Sequence, residues 1–331
     1  MTAIAAVRCG RLQLKSSLCK LQNWSSSSLL SSRSFSDSAS VTTESQKQQI
    51  QEASPPPIRV GFTESAGRGV FATRSIKSGE LVHTAKPIVS HPSFSSLQNH
   101  NVCYFCLKKI SSQHAVSFCS SQCRDQAQAF YDIERKVSWA AFDDYCRNKG
   151  LKYPHLVKRL ACMVISGVAS ADCLDILQPA SLSSEMLYEP YLLQVNNLLR
   201  DCFTLTCPVL TKKWYTNVLA RIRINAFRVE LACGSYEDLL SSAVACVNSE
   251  AAIGNAVYLL PSLYNHDCDP NTHIIWIENV DARLKALRDI DEGEELRICY
   301  IDASMDHNAR QALLSAGFGF QCCCLRCLSG D

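Results

Sequence analysis

The chain has 331 residues, 47% of them hydrophobic and 19% charged, which is enough apolar material for a sizeable core and excludes a disordered polypeptide. A formal net charge of +2 gives no broad basic field and removes the electrostatic support for general nucleic-acid binding. Its 19 cysteines admit a secreted disulfide framework or an intracellular protein with metal-bound and free thiols; the Ser-rich, basic, interrupted N-terminus lacks the apolar stretch of a secretory signal and favours the second.

Residues 1–40 contain Arg8, Arg11, Lys15, Lys20 and Arg33 before the first acidic residue, Asp37. That is the composition of an organellar transit peptide, and Ser34-Phe35-Ser36 after Arg33 is similar to a mitochondrial processing site. A mitochondrial destination is expected, with nucleus and plastid as the alternatives. Residues 41–57, ending in Pro55-Pro56-Pro57, read as an extended linker, because three prolines cannot enter a helix.

Residues 58–62 alternate in strand fashion and lead into Ala66-Gly67-Arg68-Gly69, expected to be a tight glycine turn. Two short strands follow, at 70–72 and 81–83, around the polar turn Lys77-Ser78-Gly79-Glu80. From Arg124 the period changes: Phe130, Ile133, Val137 and Ala140 recur at helical spacing, and a helical insertion is expected over about 91–210. Strand character returns at 222–231, 273–277 and 296–300, ahead of a cysteine-rich tail. No apolar run reaches the length needed to span a bilayer.

Cys103-Tyr104-Phe105-Cys106 and Cys119-Ser120-Ser121-Gln122-Cys123 place two close pairs of thiols about a dozen residues apart. Zinc favours four thiolates in a tetrahedron, which two short knuckles can supply; with no open coordination position such a site is structural. Unrelated surface cysteines are the plain alternative, but a stretch this polar lacks the apolar residues to order itself without metal. Only Lys108, Lys109 and Arg124 lie nearby, too little positive charge for a nucleic-acid partner.

Asn265-His266-Asp267-Cys268-Asp269-Pro270-Asn271 is a polar loop between apolar stretches, and its groups need partners, a polar ligand being one choice, metal ligation by His266 or a structural histidine others. At these residues the chain resembles the SET-domain family, whose signature is Asn-His-Ser-Cys-x-Pro-Asn; Asp267 stands where Ser is usual. Gly67-Arg68-Gly69-Val70-Phe71-Ala72 is similar to the family's first cofactor loop, and Glu292-Gly293-Glu294-Glu295-Leu296 through Tyr300 is similar to its Gly-Glu-Glu-Leu-x-x-x-Tyr motif. All three stand in family order. The layout resembles the SMYD-type and plant trithorax-related branch, and residues 118–123 resemble part of a MYND finger reduced to one zinc site.

The resemblance implies an α+β, β-rich SET fold of several small sheets over 58–302, split by the helical, zinc-binding insertion, with a post-SET segment over 303–331. It implies S-adenosylmethionine as cofactor, held by Arg68, Asn225, Ser262, Leu263, Asn265, His266 and Phe320. It implies a lysine channel with Tyr258 and Phe318, and Tyr300 as the catalytic residue. The partner would be a protein presenting a lysine, a histone by the family's name or an organellar protein by the N-terminus. Cys322, Cys324 and Cys327 have post-SET spacing, with Cys268 as fourth ligand of a second zinc and Cys323 as a competitor for the place of Cys322. A catalytically silent SET scaffold for protein binding is the alternative, on the strength of Asp267.

Overall fold

The computed structural model describes residues 55–98, 101–110, 117–180, 207–232 and 252–331. The transit-like segment and all of the linker before Pro55 lie outside these residues. Pro55–Asp331 forms one compact unit.

Among the described residues, ten strands make three small sheets. The first has the order β1 (Ile58–Thr63), β2 (Gly67–Ala72), β10 (Glu295–Ile298), β7 (Asn265–His266). The second is β3 (Leu81–Ala85), β9 (Ala282–Ala286), β8 (Thr272–Ile275), and the third is β4 (Val89–Pro92), β6 (Ala252–Val257), β5 (Ala226–Glu230). The β1–β2 hairpin pairs Thr63 with Gly67, so its turn lies at 64–66 and the expected glycine turn is in fact the start of a strand. Gly67 takes φ +75°, the left-handed residue that closes a three-residue hairpin loop, and Arg68 and Gly69 continue in β2.

Five helices stand between β4 and β5 among the described residues: α1 (Phe94–Gln98), α2 (Ser121–Lys136), α3 (Ala140–Asn148), α4 (Tyr153–Ile165) and α5 (Lys212–Asn225). Ser120 caps α2 by accepting from the Cys123 amide at 3.2 Å, which sets Cys123 in the first helical turn. The strand expected over 222–231 begins only at Ala226. Tyr215, Val218 and Ile222 are buried at helical spacing and carry α5 through Asn225. After β10 come α6 (His307–Phe318), capped by Asp306 and ended by Gly319 at φ 80°, and the short α7 (Leu325–Leu328). No helix among the described residues is long and apolar enough to cross a membrane.

Helices α1 to α5 and the first cysteine pairs share one apolar core, in which Cys103, Phe118, Phe130, Leu156, Leu160 and Tyr215 are buried. A second core lies under β2, β3, β9 and β10. The C-terminal cysteines gather Leu314, Tyr300, Phe318 and Phe320 into a small cluster of their own.

Candidate active site and its cysteine clusters

Cys103, Cys106, Cys119 and Cys123 bring their sulfur atoms within 4.8 Å of one another, and so do Cys268, Cys322, Cys324 and Cys327. Individual separations are 3.5 Å for Cys106–Cys119 and for Cys119–Cys123, and 3.9 and 3.5 Å from Cys268 to Cys322 and Cys327. A tetrahedron with Zn–S bonds of about 2.3 Å has edges near 3.8 Å, and a disulfide would need about 2.05 Å, so both donor sets fit a zinc ion and neither is a pair of disulfides. Cys323 is exposed and stands outside the second set, which leaves Cys322 as the member of the four-sulfur set.

Between β2, α5, β7 and the C-terminal segment lies a cavity of about 1100 Å³. Arg68, Asn225, Ser262, Leu263, Asn265, His266, Tyr300, Phe318 and Phe320 all line it. The structure does not bring Tyr258 there. That side chain is fully buried, and its hydroxyl accepts from Trp276 Nε1 at 2.8 Å and donates to the Val280 carbonyl at 2.5 Å; Trp276 and Phe227 form the aromatic wall instead. The apolar neighbours of Tyr258 in sequence gave no sign of this, because a strand-end tyrosine reads the same facing a core or a channel.

Tyr300 donates its hydroxyl to the Tyr264 carbonyl at 2.5 Å and packs against Phe318, with ring centroids 5.0 Å apart. Burial pushes its pKa well above the usual phenol range, so it stays a neutral hydroxyl at ordinary pH. The Tyr264 side chain is itself buried and shares a 2.9 Å hydrogen bond with His83 Nε2. Burial lowers the His83 pKa to about 4, and His83 is therefore neutral.

His266 joins the second cysteine set to Tyr300. Its Nδ1 accepts from the Tyr300 amide at 3.0 Å, which places its hydrogen on Nε2, 3.2 Å from Cys268 Sγ. A thiolate on zinc accepts such a donor well. Phe320 lies against the same imidazole, centroids 6.0 Å apart. Arg310, fully buried on α6, points NH2 at Cys327 Sγ at 4.0 Å, bringing a cation toward the four sulfurs. Nothing in the sequence marks that arginine out.

The two motif asparagines divide their work. Asn271 spends its whole capacity on structure: Nδ2 donates to Glu294 Oε1 and the Glu295 carbonyl, and Oδ1 accepts from the Arg297 amide and Thr272. Asn265 donates to the Arg68 carbonyl at 3.0 Å and to Glu295 Oε1 at 2.7 Å, and keeps its Oδ1. Asn225 likewise donates to the Gln178 and Arg221 carbonyls at 2.9 and 2.7 Å. The cavity is thus offered amide acceptors, the Arg68 cation and aromatic walls, a set suited to a ligand with an ammonium, a carboxylate and flat apolar surface.

The SET domain family profile matches residues 67–301, more than two thirds of the chain. The chain belongs to the SET-domain family. It is 59% identical to histone-lysine N-methyltransferase ATXR4 of Arabidopsis thaliana over 84% of this chain and 88% of that protein. It is 27% identical to human histone-lysine N-methyltransferase SMYD3, over 84% of this chain and 63% of that protein. Among solved structures, the crystal structure of the SET domain of LSMT bound to lysine and AdoHcy is similar at a TM-score of 0.32 and 11% identity, over 81% of this chain and 53% of that one.

Proposed function

We propose that this protein transfers a methyl group from S-adenosylmethionine to the side-chain amine of lysine in a protein substrate. The observation that carries this is the convergence on one cavity of Asn265, His266 and Tyr300, from separate motifs of a SET family member, with Phe318 and Phe320 packed beside them against the second cysteine set. S-adenosylmethionine supplies a methyl made electrophilic by its sulfonium.

The protein's own residues align and exclude water. Arg68, Asn225, Ser262, Leu263, Asn265, His266 and Phe320 hold the cofactor. Phe318, Phe227 and Trp276 enclose the lysine stem, and Tyr258 buttresses Trp276 from the core side. The Tyr300 proton is committed to the Tyr264 carbonyl, so its oxygen offers lone pairs to the amine and its role is orientation rather than proton abstraction. Glu295 is engaged by Arg297 and Asn265, so no free carboxylate serves as base there; the dry aromatic wall favours the uncharged amine, whose proton leaves to solvent before docking.

We assign residues 58–302 to the SET domain, interrupted over about 91–210, and 303–331 to a zinc-bound post-SET segment. Similarity to proteins named histone-lysine methyltransferases supports a histone acceptor and a nuclear site. The composition of residues 1–40 supports a mitochondrial destination and a non-histone acceptor, which a fusion of residues 1–54 to a fluorescent protein would reveal by where it accumulates.

For the activity, the zinc-loaded protein is incubated with methyl-labelled S-adenosylmethionine and, in parallel, core histones or a mitochondrial protein extract. Label on lysine in either acceptor, lost in Tyr300→Phe while cofactor affinity is kept, is the expected result. A wild-type protein that binds no S-adenosylmethionine by calorimetry would turn the choice to the scaffold alternative.

A further inference from the structure

Asp267, the departure from the family motif, is held rather than free. Its Oδ1 accepts from the Asp269 amide at 2.9 Å and shapes the loop, while Oδ2 lies 3.3 Å from Arg297 NH1. Arg297 places Nε and NH2 on Glu295 Oε2 at 2.9 and 2.6 Å. The other Glu295 oxygen accepts from Asn265 Nδ2 at 2.7 Å, and the Arg68 carbonyl takes the second amide hydrogen. Arg297 and Asn265 face each other in the parallel register of β10 and β7, so the chain of contacts spans the strand pair directly.

Gly69 completes the arrangement. A Cβ at that position would fall 2.5 Å from Glu295 Oε1 and 3.1 Å from Asn265 Nδ2, so only glycine leaves the pair room to meet. With both amide hydrogens used, Asn265 can only accept from a guest. Asp267, Arg297 and Glu295 together carry one net negative charge beside it, whereas Ser at 267 would leave the group neutral.

We propose that Asp267 is a positioning residue for the ammonium group of the cofactor: through Arg297 it holds Glu295, and Glu295 turns Asn265 so that an oxygen meets the ammonium. Asp267 is absent from the cavity lining, so it makes no direct contact with the cofactor's carboxylate. The inference rests on the cofactor proposed above. It makes the Asp in this motif a working variant rather than a lesion.

The test uses the full, zinc-loaded chain and calorimetry with two ligands, S-adenosylmethionine and 5′-methylthioadenosine, which keeps the adenosine and sulfur but lacks the amino-acid end. Asp267→Ser is expected to weaken S-adenosylmethionine about threefold and Glu295→Gln about tenfold, with 5′-methylthioadenosine altered less than about twofold by either. Asp267→Asn, which keeps an oxygen for Arg297, is expected to fall between wild type and Asp267→Ser. Equal losses for the two ligands would mean a merely structural contact and would overturn the inference, as would unchanged S-adenosylmethionine affinity in Asp267→Ser and Glu295→Gln. A wild-type protein that binds neither ligand overturns the cofactor itself, and this inference with it.

Discussion

The two cysteine clusters offer the same four sulfurs to a metal but are tied into the molecule differently. The first is braced by a buried ion pair. Arg159 on α4 reaches Glu134 on α2 at 3.0 Å and the carbonyls of Ser90 and Tyr104 at 2.8 and 3.2 Å, and the Tyr104 hydroxyl donates to the same Glu134. Those contacts run to helices and to β4 and none reaches the cavity. The second cluster has Cys268 inside the Asn-His loop, is linked to Tyr300 through the His266 imidazole and packs against Tyr300, Phe318 and Phe320. Losing metal at the first site should therefore cost stability, and losing it at the second should cost the active site.

The largest expected effect tests that division. Cys327→Ser should lower bound zinc from two ions to one and cut methyl transfer by about a hundredfold or more, since an unpinned segment lets Phe318 and Phe320 leave the cavity. Metal analysis and a label-transfer assay on one preparation would show it. Cys106→Ser should also lose one zinc, but its main consequence should be a Tm lower by about 10 °C, read by calorimetry, with the remaining folded protein still active.

A similar loss without touching metal is expected on breaking the brace. Arg159 and Glu134 side chains are only 2% and 4% exposed, so Arg159→Ala leaves a carboxylate stranded and should cost about 3–5 kcal/mol in denaturant unfolding.

Acid should act on both halves, since burial also lowers the pKa of His91 and His155 near the brace, and in the other half it acts through His83. His83 is held at about 4 by burial against an ordinary 6.5, so below 6.5 the unfolded chain takes up a proton that the folded one refuses. Its contribution is present above pH 6.5 and is lost as pH falls toward 4, by at most ~3 kcal/mol, and His83→Gln should flatten that part of the stability profile. Tyr264→Phe, which removes the hydroxyl partnering His83, should cost about 1 kcal/mol and lower kcat a few-fold with KM nearly unchanged, because the carbonyl holding Tyr300 loses its anchor.

Much of this site was legible in the sequence because its chemistry sits in short spacings. The paired thiols, the Asn-His loop and the distant tyrosine each carry a local pattern, and Cys268 was assignable because three tail cysteines lack a fourth. The Cys-x-Cys-x-x-Cys spacing pointed to Cys322, with Cys323 left as a competitor because adjacent residues differ only in which way the backbone turns them, and the structure groups Cys322 with the set. Tyr258 and Tyr264 show the same limit: both are fully buried aromatics near the motif, and only packing sends one into the core and makes the other's carbonyl the acceptor for Tyr300. The α5–β5 boundary was missed because residues 222–225 suit either period, and burial on the helix decided it. Arg159, Arg297 and Arg310 act through partners 25, 30 and 17 residues away, separations that no local period encodes.

The most direct test sets the two clusters against each other in one titration. S-adenosylmethionine is titrated by calorimetry into zinc-loaded wild type, Cys106→Ser and Cys327→Ser, each confirmed folded at the working temperature. Binding should appear in the wild type and in Cys106→Ser and vanish in Cys327→Ser. Wild-type affinity in Cys327→Ser would contradict the claim that the second zinc holds the cofactor site together.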